Sequence, residues 1–206
     1  MRTFKRTIND IEFDGGDVAL DFVNSLKSRF ENPITEYLVE PEDWLIWVQR
    51  QDLEDTAWLE LASASVSRSP EHVLAAVEEI KDSRDVIYAV LKAVVDGEQA
   101  SAEVLERYQE LLSRYFSNLR LELEGTSFTE RVGGESDDLR RPLMKVIKAS
   151  YDILSSQRLE KLKECGNCGW LFLDESKNNR RKWCNMKTCG TSAKMKKYYR
   201  RKKGGV

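Results

Sequence analysis

All four cysteines of this chain fall between positions 165 and 189, spaced Cys165-x2-Cys168-x15-Cys184-x4-Cys189. No other feature restricts the fold as tightly. A Cys-x-x-Cys turn aims two thiolates at one point, and a second close pair downstream can complete a tetrahedron. The spacing therefore reads as a site for one structural Zn2+ per chain. Four thiolates close the coordination shell and leave no position for water or substrate, which argues against a catalytic metal. Two other uses of cysteine stay open on spacing alone. An iron–sulfur cluster also takes four thiolates, although this spacing matches neither common ferredoxin pattern. A thioredoxin-like redox pair would employ Cys165 and Cys168 and leave Cys184 and Cys189 without a role. The only histidine, His72, lies far upstream and reads as an exposed helix residue.

Charge divides the chain at the same place. From Lys161 to Val206 there are 14 Lys and Arg against three acidic residues, a charge of +11, and the remaining 160 residues hold 19 basic and 32 acidic groups, a charge of −13. A basic end on an acidic body points to a polyanion partner for that end. Two arrangements follow: the basic face masked against the acidic body, or a finger docked through apolar contacts with its cations outward. The longest apolar-rich stretch, Val86 to Val95, is broken by Lys92 and is too short to span a bilayer. The first residues lack the apolar core of a secretory signal. The expectation is a cytoplasmic protein without a membrane partner, in whose compartment reduced thiols favour metal over disulfide.

Residues 1–160 read as a mainly α domain with minor β. Gly15-Gly16 between two apolar runs predicts a small hairpin. Pro41 opens a helix that buries Leu45, Trp47 and Val48. A long helix follows a Ser69 cap, with Val73, Val77, Ile80, Ile87, Leu91 and Val94 on one seam and Gly97 at its end. A further helix after Ser101 presents Leu105, Tyr108, Leu112, Tyr115 and Leu119. Period-two alternation around Gly125 predicts a hairpin, and a third long helix from Ser136 carries Leu139, Leu143, Val146, Ile147 and Leu154. Arg84 occupies the seam slot between Ile80 and Ile87. A guanidinium there needs a partner unless it snorkels to water, and Asp21, with Asn24 adding a hydrogen bond, is the pairing expected.

Residues 161–206 read as a separate treble-clef-like zinc finger. A short amphipathic helix with Leu159 and Leu162 leads to the first cysteines, a strand from Trp170 to Leu173 pairs with a return strand from Arg180 to Trp183, and Asn185 caps a basic helix. A module of this size depends on metal for its folding energy. Trp170 and Trp183 read as module core, and at least one of Tyr198 and Tyr199 is expected to pack on it.

The run CGWLFLDESKNNRRKWCNMKTCG (Cys168 to Gly190), followed by a Lys/Arg-rich helix, resembles the CGNR-type zinc finger of bacterial transcription regulators. In that family the finger follows an ABATE domain, and LDFVNSL (Leu20 to Leu26) is similar to that domain's N-terminal motif. The resemblance implies a transcriptional role. One departure stands out: after the last ligand the family carries Gly-Asn-Arg, and here Cys189 is followed by Gly190-Thr191-Ser192. Zinc binding is untouched, but any phosphate or base contact made by that arginine is missing.

Candidate nucleic-acid contacts are Lys177, Asn178, Asn179, Arg180, Arg181 and Lys182 near the cysteine pairs and Lys194, Lys196, Lys197, Arg200 and Arg201 on the helix. Clustered cations suit phosphate, and Asn and Arg can read base edges. DNA is the expected partner, with RNA as the alternative, and the body is expected to dimerise or to sense a small-molecule effector. No phosphate loop, no nucleophile–histidine pair and no second metal constellation is apparent, so the reading is of a regulator and not an enzyme.

Overall fold

Seven α-helices and two small antiparallel sheets make up the described residues, 7–68, 70–133 and 137–203, of this computed structural model. Ser69 and Ser136, expected to open two of the helices, lie outside the described residues.

Helix α1 (Val18–Val23) sits at the centre. Apart from Asp21 its residues, VALDFV, are apolar on every side, so it can only be buried. Ala19, Leu20, Phe22 and Val23 are fully enclosed. The predicted hairpin at Gly15-Gly16 is therefore absent, and the two glycines instead launch this helix. Gly16 takes φ +78°, and Asp17 caps the helix by accepting from the Ala19 N–H at 2.9 Å. Gly15 passes so close to α1 that a Cβ there would lie 2.7 Å from Leu20 Cβ.

Around α1 pack the remaining helices. In α2 (Pro41–Arg50) Trp44 and Trp47 stack at 5.1 Å, and Phe22 meets both rings. The Trp44 indole donates to the Leu139 carbonyl at 2.8 Å. Helix α3 (Thr56–Arg68) contributes Trp58 and Ala62. Helix α4 (Pro70–Asp96) buries Val73, Val77, Ile80, Ile87 and Leu91 and ends at Gly97, φ +69°. Val94, expected on the same seam, is exposed.

Helix α5 (Ala102–Asn118), capped by Ser101, buries Tyr108, Leu111 and Tyr115. That stripe leaves Leu105 outside, because i, i+3 and i+7 from Tyr108 define the inner face. The predicted hairpin follows as β1 (Leu119–Glu124) and β2 (Ser127–Val132), turned at Gly125, φ +65°. Helix α6 (Arg141–Leu154) begins later than expected. Pro142 fixes its start, and Leu139 is buried from the turn before it. Tyr108 Oη and Ser150 Oγ, 2.9 Å apart, join α5 to α6.

Arg84 does not pair with Asp21, nor does it reach water; it is only 4 % exposed. Its two terminal nitrogens donate to Glu36 Oε1 and Oε2 at 2.8 and 2.7 Å, with Ser25 Oγ at 3.2 Å. Asp21 is committed elsewhere, accepting from the Gly15 N–H at 2.8 Å and from Gln51 Nε2 at 3.2 Å. The loop carrying Glu36 crosses the seam of α4 and supplies the bidentate acceptor that a guanidinium needs there.

Candidate metal centre and cationic face

Strands β3 (Leu162–Glu164) and β4 (Leu171–Leu173) pair antiparallel, with Leu162 opposite Leu173, and the Cys165–Cys168 knuckle is the loop between them. The Cys165 N–H donates to the Trp170 carbonyl at 2.8 Å, and the Gly169 N–H donates to the Cys165 carbonyl at 2.9 Å. Gly169 takes φ +76°, and a Cβ on it would lie 2.7 Å from Arg29 Cβ, so only glycine fits. The hairpin thus differs from the expected pairing of 170–173 with 180–183. Only Gln157–Lys161 forms the expected helical turn, as a 3-10 segment, and Leu162 goes into a strand.

The 174–184 return needs no ladder, because Asp174 organises it. Its buried carboxylate accepts from Lys163 Nζ (2.7 Å), the Arg181 N–H (2.7 Å), the Ser176 N–H (3.1 Å) and Ser176 Oγ (2.6 Å). Burial pushes this carboxyl up, but those four bonds outweigh it and hold Asp174 well below the usual carboxylate range. A single bond from the Gly166 N–H to the Lys182 carbonyl, 3.1 Å, then brings Cys184 beside the knuckle. Asn185 caps the last helical segment as expected, accepting from the Lys187 and Thr188 N–H groups. A wide π-type turn (Met186–Gly190) holds Cys189, and α7 (Thr191–Lys203) continues from it.

All four Sγ atoms lie within 4.8 Å of one another, with Cys168–Cys184 at 3.8 Å and Cys184–Cys189 at 3.7 Å. A tetrahedron with Zn–S bonds of about 2.3 Å has edges of about 3.8 Å. A disulfide would need sulfurs about 2.05 Å apart. The donor set fits one structural zinc, held by Cys165, Cys168, Cys184 and Cys189. Zinc there supplies cross-linking, joining the knuckle, the return loop and the turn that leads into α7 at one point.

The finger is docked on the body through its apolar side. Leu171, Phe172 and Leu173 are buried in the same core as α1, and the Trp170 indole donates to the Leu26 carbonyl at 2.9 Å. Asn24, expected beside Arg84, instead brackets Leu171 with two hydrogen bonds. Cys168 is tied down as well: its carbonyl accepts from Ser28 Oγ at 3.0 Å and from the Arg29 N–H at 2.8 Å. Docking thus combines apolar burial with neutral hydrogen bonds, and the described residues show the unmasked arrangement. Among the described residues no cation from Lys177 to Lys202 pairs with an acid of the body.

The predicted contact residues separate into two groups. Lys177, Asn178, Arg180, Lys182, Lys194, Lys196, Lys197, Arg200 and Arg201 are exposed. Arg181 is not available. Its guanidinium lies over the Phe172 ring at 5.0 Å and donates to the Cys184 carbonyl. Asn179 is exposed, but it is a turn residue with φ +45° whose Nδ2 donates to the Glu160 carbonyl at 3.3 Å and whose own carbonyl accepts from Lys163. Tyr198 and Tyr199 are both exposed, against the expectation that one packs on the zinc core. Trp170 and Trp183 do pack on the core. Lys187, an exposed cation on the turn that carries Cys189, was missed; its proximity to the last ligand was the available signal.

Two family models match the chain. The first, described as the CGNR zinc finger, covers residues 161–202. The second, ABATE, described as "Putative stress-induced transcription regulator", covers residues 16–157. The chain belongs to the ABATE family. No curated protein matches it. The family is described as one of regulators and not of enzymes, and among the described residues no helix is long and apolar enough to cross a membrane. In this ABATE chain the departure after the last ligand is absorbed locally. Thr191 Oγ1 donates to the Met186 carbonyl at 3.3 Å, within the turn that positions Cys189.

Proposed function

We propose that this chain is a zinc-dependent DNA-binding regulator of transcription, in which residues 161–206 contact DNA and residues 1–160 dimerise or receive an effector. One observation carries the reading: the finger turns its apolar strand to the body and leaves most of its cations free. Lys177, Arg180, Lys182, Lys194, Lys197, Arg200 and Arg201 are exposed on a scaffold that the metal makes rigid. Such a surface suits a phosphate backbone, and Asn178 among the cations has the donor and acceptor to read a base edge. The cytosol, which keeps thiolates reduced, is the compartment this reading requires, and it assigns the chain no reaction.

Tyr198 and Tyr199 favour a second reading. Two exposed rings beside exposed cations suit stacking on unpaired bases, so structured RNA is the competing ligand.

Fluorescence anisotropy on zinc-loaded protein, with duplex DNA and hairpin RNA competing at matched salt, separates the two. DNA is expected to win. In the R180A/K182A/R200A variant affinity should fall and the salt slope should flatten by about 0.9 for each phosphate contact removed. Unchanged affinity and slope would remove this face from the interface.

A further inference from the structure

A cavity of about 370 Å³ opens where the finger meets the body, at the small end of the range for ligand pockets (roughly 300–1,000 Å³). Its lining is drawn from three separate parts of the chain. Ile11, Tyr37 and Trp170 give it a buried, apolar and partly aromatic interior, and Phe30 stands exposed at its edge. Cys168, Cys184 and Cys189 form one wall.

Its charges do not balance. Of the two lysines lining it, Lys27 is held by Glu31 at 2.7 Å, while Lys196 meets only the neutral Asn167 Oδ1 at 3.0 Å and keeps its charge, so three carboxylates face two lysines. Two further carboxylates, Glu12 and Asp14, share only the neutral amide of Asn185, at 3.2 and 2.9 Å. Among the described residues no cation lies within ion-pair distance of either, and Arg181, whose charge favours ionised Asp14, acts only from beyond that distance. The metal centre adds to this excess. Four thiolates around one divalent zinc leave a net charge of −2, and three of the four sulfur ligands lie along this cavity. An anionic ligand would find Lys196 alone set against these carboxylates and thiolates.

We propose that this cavity binds a small organic cation: an ammonium group carried on an apolar or aromatic body. The ammonium would donate to Glu12 and Asp14, forming the charge-assisted bonds those groups lack. The ligand's body would lie against Tyr37 and Trp170, with Phe30 able to cover it or to face the cation. Such a ligand touches the 11–14 segment, the loop from 27 to 37 and the zinc finger at once, so it would reinforce docking of the finger. The assignment stands apart from the nucleic-acid reading and is tested without nucleic acid.

The probe is 2-phenylethylammonium, with 3-phenylpropionate as an anion of similar shape, titrated into zinc-loaded full-length protein. The Trp170 indole N–H resonance reports locally, since that ring lines the cavity. A saturable shift with the ammonium and none with the carboxylate is expected. The E12Q/D14N variant keeps an oxygen to accept from Asn185 and should bind the ammonium about ten-fold more weakly or worse. Glu12→Gln alone, at an exposed position, should weaken binding several-fold and decides the matter if the double variant loses zinc. Absence of a saturable shift, equal binding of both ions, or unaltered affinity in the variants would overturn the proposal.

Discussion

Asn24 and Leu171 stand 147 positions apart in the chain and exchange two hydrogen bonds, Asn24 Nδ2 to the Leu171 carbonyl at 2.8 Å and the Leu171 N–H to Asn24 Oδ1 at 3.0 Å. A side-chain amide here does what a neighbouring strand would do, covering the free edge of β4 just after α1 ends. The Leu173 N–H, donating to the Gly15 carbonyl at 2.9 Å, continues the same edge. β4 is therefore completed by the body on one side and by β3 on the other.

Replacing Asn24 with Ala leaves the Leu171 N–H and carbonyl buried without partners. Each unsatisfied group costs about 1–3 kcal/mol, so a loss of about 2–6 kcal/mol is expected in urea unfolding of the zinc-loaded protein. Asn24→Asp should be at least as damaging, because it turns a donor toward the Leu171 carbonyl into a second acceptor. Stability within about 0.5 kcal/mol of the parent would show that β4 does not need this clip.

The pair formed by Arg84 and Glu36 makes a sharper test. Glu36→Ala leaves the Arg84 guanidinium with only Asp85 Oδ1, 3.4 Å from Nε, as a carboxylate partner and removes the acceptor of the Tyr37 and Leu38 N–H groups, both at 2.9 Å. Breaking a buried pair from one side costs about 3–5 kcal/mol. In R84M/E36A the buried, under-compensated charge is gone, so the double variant should be more stable than E36A alone. A double variant no better than E36A would mean that Glu36 acts through its backbone contacts and not through the guanidinium.

What could be read from the sequence depended on how locally each feature is written. The zinc ligands were legible because a tetrahedron demands two close pairs, whatever surrounds them. Helices α2, α4 and α5 were legible through their period, and the 119–132 hairpin through its alternation. Helix α1 was not, since a helix buried on all sides has no amphipathic period, and two glycines before it suggest a turn. The partner of Arg84 was not legible either. Glu36 sits in a loop without periodicity, and only the three-dimensional path of that loop brings it to α4. Arg180 and Arg181 are adjacent and identical in type, but Asp174 takes the backbone of one and turns its side chain inward. The lone Asn24 in an apolar run signals a buried hydrogen-bond partner, but nothing near it in the sequence points to Leu171, 147 positions away.

Zinc removal should reach beyond the finger. Because β4 belongs to the core around α1, losing the metal frees a strand that the body itself uses. Metal analysis should find about one zinc per chain, lost in Cys184→Ser. Calorimetry of the chelated protein should show the whole transition moved down, by roughly 10 °C if several kcal/mol of metal-linked stability disappear. An unmoved main transition with only a small separate one abolished would mean that the body folds independently of the finger.

Asp21 should make stability depend on pH. Burial is the main reason that its carboxyl is raised from the ordinary 3.8 to about 6; the bonds from Gly15 and Gln51 pull it back only in part, and Asp14 and Asp17 add repulsion. Between those two values the folded chain keeps a proton that the unfolded chain has released. The contribution to stability is therefore fully present below about pH 4 and is lost as pH rises through 6. A shift of this size corresponds to a change on the order of 3 kcal/mol across the window. Asp21→Asn keeps an oxygen for the Gly15 N–H and carries no charge, so it should stabilise the protein at pH 7.5 and have a much smaller effect at pH 4.5. Comparing the two proteins at each pH cancels titration of the zinc ligands, which they share. A difference in unfolding free energy that grows from pH 4.5 to 6.5 and then levels off is the expected result, and a difference that does not vary with pH would place the charge of Asp21 in contact with water.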